Sequence, residues 1–183
     1  MAQSWRVEPE RHKKPRQPLD RQRLERLALH YVGRYATTRA RVKSYLARKV
    51  KERGWEGEAS DISALAERLS ALGYIDDGAF ATARAASLQR RGYGERRVSQ
   101  ALRAAGIEDE DAAEAREQTR ERAVEAAMRF AKRKRIGPFA TTPADRETAQ
   151  KAFAVMARAG HPFEIVRQVL NAAADDIPYS DDI

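Results

Sequence analysis

Three glycines at a near-constant interval constrain this chain more than any other feature. Gly54, Gly106 and Gly160 lie 52 and 54 residues apart. Each closes a stretch of helical patterning, and each has an apolar residue four positions before it: Val50, Leu102 and Met156. Glycine takes a left-handed helix stop without steric penalty, and a residue four positions earlier sits one turn back on the same face. Helix, glycine stop and apolar anchor recurring together predict three copies of one helical unit stacked side by side.

The intervals between the glycines fill in the units. Leu24, Leu27, Ala28, Tyr31 and Tyr35 make one helical stripe, and Thr37 and Thr38 offer caps for a second helix with Val42, Tyr45, Leu46 and Val50 inward. Ile62, Leu65, Ala66, Leu69 and Leu72 form a third stripe closed by Gly73. In the second unit Asp76 and Asp77 stand where a helix start wants acceptors, followed by Phe80, Ala83 and Leu88 on one face. Gly92-Tyr93-Gly94 breaks the pattern, Val98, Ala101, Leu102 and Ala105 resume it, and an alanine-rich helix should begin near Asp109. The third unit reads as a helix with Val124, Ala127, Met128 and Ala131, stopped by Gly137-Pro138. Next comes one capped by Thr142 with Pro143 at its first position, its stripe Ala149, Ala152, Phe153 and Met156. The last begins at His161-Pro162, with Ile165, Val166, Val169 and Leu170 inward.

Period-two alternation is almost absent, so the expected fold is all-α: an elongated tandem array of three three-helix repeats at 19–74, 75–117 and 118–172. Residues 1–18 carry three prolines and five Lys/Arg against two Glu, and read as a disordered basic arm. Residues 173–183 read as an acidic tail.

Chemistry beyond binding is hard to assemble. Cysteine is absent and the three histidines, His12, His30 and His161, are scattered, so no cofactor, zinc site or thiol nucleophile is expected. Asp76-Asp77 could form a magnesium-binding pair in a phosphodiester-cleaving enzyme, but helix capping accounts for them more simply. No phosphate-loop motif occurs. No secretory leader or membrane span is seen, which points to a cytoplasmic protein with no membrane partner.

Charge is the stronger signal. The net charge is +8 and the isoelectric point near 10.0. Basic residues cluster by element: seven Lys/Arg against Glu52 from Arg39 to Arg53, six arginines against Glu95 from Arg84 to Arg103, and eight against three glutamates from Arg116 to Arg135. Such clusters either solvate alanine-rich helices or line up for a polyanion or an acidic protein. Lys132-Arg133-Lys134-Arg135 has the form of a nuclear signal, a weak and common pattern. Tyr93 and Trp55 are the aromatics placed to stack on a base or enter a partner's pocket; Trp55 better suits covering the end of the first core. Trp5 has no assignable role.

Gly73-Tyr74-Ile75-Asp76-Asp77, Phe80-Ala81, Arg91-Gly92-Tyr93-Gly94, Arg97-Val98 and Ala101-Leu102 through Gly106-Ile107 together resemble the signature of the RecX family of recombination regulators. Residues 35–54 resemble that family's first repeat and 157–170 its last. One departure is Tyr45-Leu46, where the family commonly has an acidic residue before the leucine. The resemblance implies a non-enzymatic, monomeric inhibitor of the RecA recombinase. It would lie in the groove of the RecA–DNA filament and limit its growth, ATP hydrolysis, strand exchange and coprotease activity, with weaker, salt-dependent contact to single- and double-stranded DNA. The expected contact residues are Arg90, Arg91, Tyr93, Arg96 and Arg97, with Arg41, Lys43, Lys132 and Arg135 behind them. A stand-alone basic helical DNA-binding or architectural protein is the alternative.

Overall fold

The computed structural model describes residues 17–142 and 144–172. Most of the arm, Trp5 and His12 in it, Pro143 and the tail from 173 lie outside the described residues; Gln17 and Pro18 are exposed. Among the described residues there are nine α-helices: α1 Arg21–Val32, α2 Arg39–Arg53, α3 Ile62–Ala71, α4 Asp77–Arg90, α5 Glu95–Ala104, α6 Ala113–Glu121, α7 Ala123–Lys134, α8 Arg146–Arg158 and α9 Phe163–Asn171. A 3-10 turn spans Gly137–Phe139. The only β-type pairing among the described residues is one parallel bridge, Leu19 to Trp55.

The helices group in threes around three separate cores. Leu24, Val42, Leu46 and Leu69 fill the first, and Trp55 packs against it while its indole N–H donates to the Glu58 carbonyl at 2.6 Å. Leu19 is fully buried there, and its N–H donates to the Gly54 carbonyl at 3.0 Å. The second core is small-residue rich, with Ala81, Ala85, Ala105, Ala112 and Ala115 around Leu88, Val98 and Leu102. The third holds Met128, Phe130, Met156, Val166 and Val169. Each fully buried Leu or Val contributes about 1.5–3 kcal/mol, so each unit carries its own driving force. Tyr93 touches both the second core and the third.

The repeats join by one rule. The second helices run head to tail, the C-terminus of each meeting the N-terminus of its predecessor. At the first joint the Thr38 hydroxyl, which also caps α2 by accepting from the Arg41 N–H, donates to the Ala105 carbonyl at 2.7 Å. At the second, the N–H groups of Gly94 and Arg96 donate to the carbonyls of Ala159 and Gly160 at 3.1 and 3.0 Å. Orphan donors of α5 thus satisfy orphan acceptors at the end of α8, while at the first joint a side-chain hydroxyl serves the end of α5.

Several expectations are corrected. Asp76 caps α4, accepting from the Ala79 N–H at 2.8 Å, but Asp77 is buried and belongs to the first joint. Its carboxylate takes the Arg39 backbone N–H at 3.0 Å and side-chain Nε at 3.1 Å. Thr38 caps α2, whereas the Thr37 hydroxyl is buried without a partner. Ala83 is exposed, and the inward face of α4 is Ala81, Ala85 and Leu88. Tyr35, Leu72, Val124 and Ala149 also face solvent, because each stripe overran its helix end or its packed arc. Helix α6 begins at Ala113, four residues after the expected start. Helix α8 is capped by Asp145, which accepts from the Thr148 N–H, and not by Thr142.

Candidate functional site

An open groove of about 510 Å³ runs where α2, α4 and α5 meet. Arg84, Leu88 and Arg91 reach it from α4 and the residue that ends it, at spacings of four and three that put them on one helical face. Arg97, Gln100, Ala101 and Ala104 line it from α5 by the same geometry, and Arg41 enters from α2. The Gly92–Gly94 turn sets Tyr93 at the groove's edge, half-buried between two cores.

The close approach at that turn explains its composition. A Cβ on Gly94 would overlap the carbonyl group of Gly160, and one on Gly160 would lie 2.5 Å from the Arg97 nitrogen, at a φ of 95° that L-residues resist. His161 completes the joint. Its ring lies edge-on to Phe130 with centroids 5.6 Å apart, and its Nε2 bonds the Gly92 carbonyl at 3.1 Å. Burial holds the His161 pKa below the usual imidazole range, partly opposed by the bond to Gly92.

Around the Tyr93 ring lie three guanidinium groups: Arg91 at 5.3 Å, Arg97 at 5.9 Å and Arg133 at 6.0 Å from its centroid. Arg133 comes from α7, stands 5.2 Å over the Phe130 ring and donates to the Arg91 carbonyl. Arg41 stands 5.1 Å over Phe80. Among the described residues none of Arg41, Arg84, Arg91 and Arg97 forms an ion pair. A concave surface carrying uncompensated like charge concentrates positive potential and attracts anions.

The structure therefore brings Arg41, Arg91, Tyr93 and Arg97 together. Arg90 and Arg96 are exposed but line no part of the groove, and the Arg96 backbone serves the second joint. Lys43 sits in an ion pair with Glu67 at 2.8 Å, and its hydrogen bond draws that carboxylate below its usual range. Lys132 is exposed on α7, and Arg135 occupies the left-handed position after it, at φ 55°; neither lines the groove. Arg84, Gln100 and Arg133 were not among the expected contacts. The signal for Arg84 was its spacing to Leu88 and Arg91; for Arg133 it was its place three residues after buried Phe130, on the same side of α7. No group of three His, Asp or Glu side chains among the described residues could hold a metal ion. No helix among them is long and apolar enough to cross a membrane.

Fold and groove define a basic, all-α tandem-repeat protein built around an arginine-lined cleft at its repeat junctions. Residues 76–115 match the family model described as RecX, second three-helix domain. Regulatory protein RecX from Myxococcus xanthus is 37% identical over 158 residues, covering 81% of this chain and 84% of that protein. The chain belongs to the RecX family of regulatory proteins. Regulatory protein RecX from Agrobacterium fabrum is 28% identical over 153 residues, covering 81% and 82%. The crystal structure of RecX from Lactobacillus salivarius shares the fold with a TM-score of 0.61 at 20% identity, over 81% of this chain and 93% of that one. A second RecX crystal structure gives 0.63 at 19%, over 82% and 73%.

Proposed function

We propose that this chain regulates the RecA recombinase as an inhibitor without catalytic chemistry of its own, acting as a cytoplasmic monomer. In this reading it lies in the groove of the RecA–DNA filament, limits filament growth, and lowers ATP hydrolysis, strand exchange and coprotease activity. What supports the reading is the cleft at Tyr93, where five arginines from all three repeats converge and none of them pairs with a carboxylate among the described residues. A rigid row of helices offering uncompensated arginine suits a partner that is itself a polymer with DNA at its base and acidic walls. Family membership supports the regulatory role.

The test is a titration of this protein into RecA assembled on single-stranded DNA, followed by ATP hydrolysis. Inhibition at substoichiometric amounts is the expected result. Arg91→Glu with Arg97→Glu should weaken it at least tenfold while leaving helicity unchanged, since both side chains are exposed. The second reading, a stand-alone DNA-binding protein, draws on the same cleft. It predicts inhibition only at concentrations that coat the free DNA.

A further inference from the structure

A second aromatic and cationic cluster lies on the first repeat, and the reading above makes no use of it. The rings of Tyr31 and Tyr45 stack face to face, centroids 4.2 Å apart and planes 12° from parallel. Tyr35 ends this ladder 5.4 Å from Tyr31, with its ring plane tilted by 50°. Tyr31 and Tyr45 are half-buried against the first core, whereas Tyr35 is 53% exposed. Its position is set: it lies just beyond α1, and its backbone N–H donates to the Tyr31 carbonyl at 3.1 Å. A tyrosine at a helix end, anchored by its backbone with about half its surface in solvent, gains less from burial than Tyr31 or Tyr45.

Cations flank the ladder. Arg48 and Lys49 each stand 5.8 Å from the Tyr45 ring centroid. Both also approach Glu52, at 3.6 and 2.6 Å, and such exposed pairs on one helix face contribute little and yield to a competing anion. Arg41, Tyr45 and Arg48 follow each other at spacings of four and three, so they share one face of α2. Arg41 is also a wall of the Tyr93 cleft. From Tyr45 to Arg41 is about 6 Å along the helix. The ladder and the cleft are therefore neighbouring stations on one strip, each an aromatic beside positive charge: unpaired at the cleft, weakly paired with Glu52 at the ladder.

We propose that the Tyr45–Tyr31–Tyr35 ladder is a base-stacking site for single-stranded nucleic acid, with Tyr35 as the outer platform and Arg41 and Arg48 holding the adjoining phosphates. Unpaired bases are the ligand that uses both halves of the site. An acidic protein surface would need the cations alone, and in a duplex the base faces are already stacked on one another. The site deepens the reading above by giving the chain its own contact with the unpaired strand, but it acts without the recombinase.

The test is fluorescence anisotropy of a labelled oligothymidylate of about 20 nucleotides, and of a duplex of the same length, with the full chain alone. The single strand should bind more tightly than the duplex. Tyr35→Ala should weaken single-strand binding about tenfold without changing the slope of affinity against salt, because stacking releases no counterions. Tyr35→Phe should bind like the parent, and Arg48→Gln should lower the salt slope. Parental affinity in Tyr35→Ala, preference for the duplex, or displacement of the strand by polyglutamate as readily as by unlabelled oligothymidylate would each overturn the proposal. No RecA is present, so such a result leaves the ATPase titration to stand or fall separately.

Discussion

The two joints between repeats solve the same problem with different chemistry. Both set the C-terminus of one second helix on the N-terminus of another. The first joint does it with side chains. Thr38 supplies the hydroxyl, and Arg39 reaches three carboxylates, Asp77 at 3.1 Å, Glu67 at 3.3 Å and Asp111. Those acids, Asp77 foremost through its hydrogen bond, raise the Arg39 pKa beyond its already high ordinary value. The second joint does it with backbone: no side chain stands between Gly94 and Gly160, and the N–H groups meet carbonyls directly. A side-chain joint can be weakened in steps, whereas a backbone joint leaves no room for adjustment. The comparison also separates two kinds of arginine. Arg39 is consumed by structure, while Arg41, two residues on, has no carboxylate and faces the cleft.

The largest expected effect is at the backbone joint. Gly94→Val must drive its side chain into the Gly160 carbonyl, and should destabilise the docking of the third repeat by roughly 4 kcal/mol. Because each repeat has its own core, urea unfolding should split into two transitions; one unchanged transition would refute the close packing. Arg39→Ala comes next. It leaves Asp77 buried with only one backbone donor, and should cost about 1–3 kcal/mol, less than a wholly buried pair because Arg39 is partly exposed. Thr38→Val removes both the cap and the bond to Ala105, and should cost about 1–2 kcal/mol in the same unfolding assay.

The smallest effect is one of pH and belongs to the second joint alone. Burial disfavours the charged form of His161, and its Nδ1 is buried with no partner. The unfolded chain takes up a proton near the ordinary value of 6.5 while the folded one resists. The stability contributed by keeping His161 uncharged is therefore present above that value and declines as the pH falls below it. His161→Gln, whose amide can still donate to Gly92, should flatten that part of the profile. Equal pH dependence in the variant would move the titration elsewhere.

Much of the fold was legible because it rests on local rules. The helix stops at Gly54, Gly106 and Gly160, the caps at Thr38 and Asp76, and the buried stripes through Val42, Leu102 and Met156 need only neighbours within a turn or two. Errors gathered where a local pattern outlasts its element, as at Tyr35 and Leu72, or where two acceptors compete for a cap, as at Thr142 and Asp145. The cleft was half legible. Arg91, Tyr93 and Arg97 sit within seven residues of chain and were visible as a cluster.

What the sequence determined by itself is the modular helical architecture, the basic character and the turn that carries Tyr93, since periodicity, charge and glycine act over short range. Tertiary structure alone decided which cations stay free. Arg39 and Arg41 are indistinguishable in composition, and only the docking of the second repeat brings Asp77 and Asp111 to one and the cleft to the other. It alone decided, too, that Arg133 joins the Tyr93 cluster and that Tyr45 stacks on Tyr31. Charge is neutralised through space, between residues whose separation along the chain says nothing about their distance.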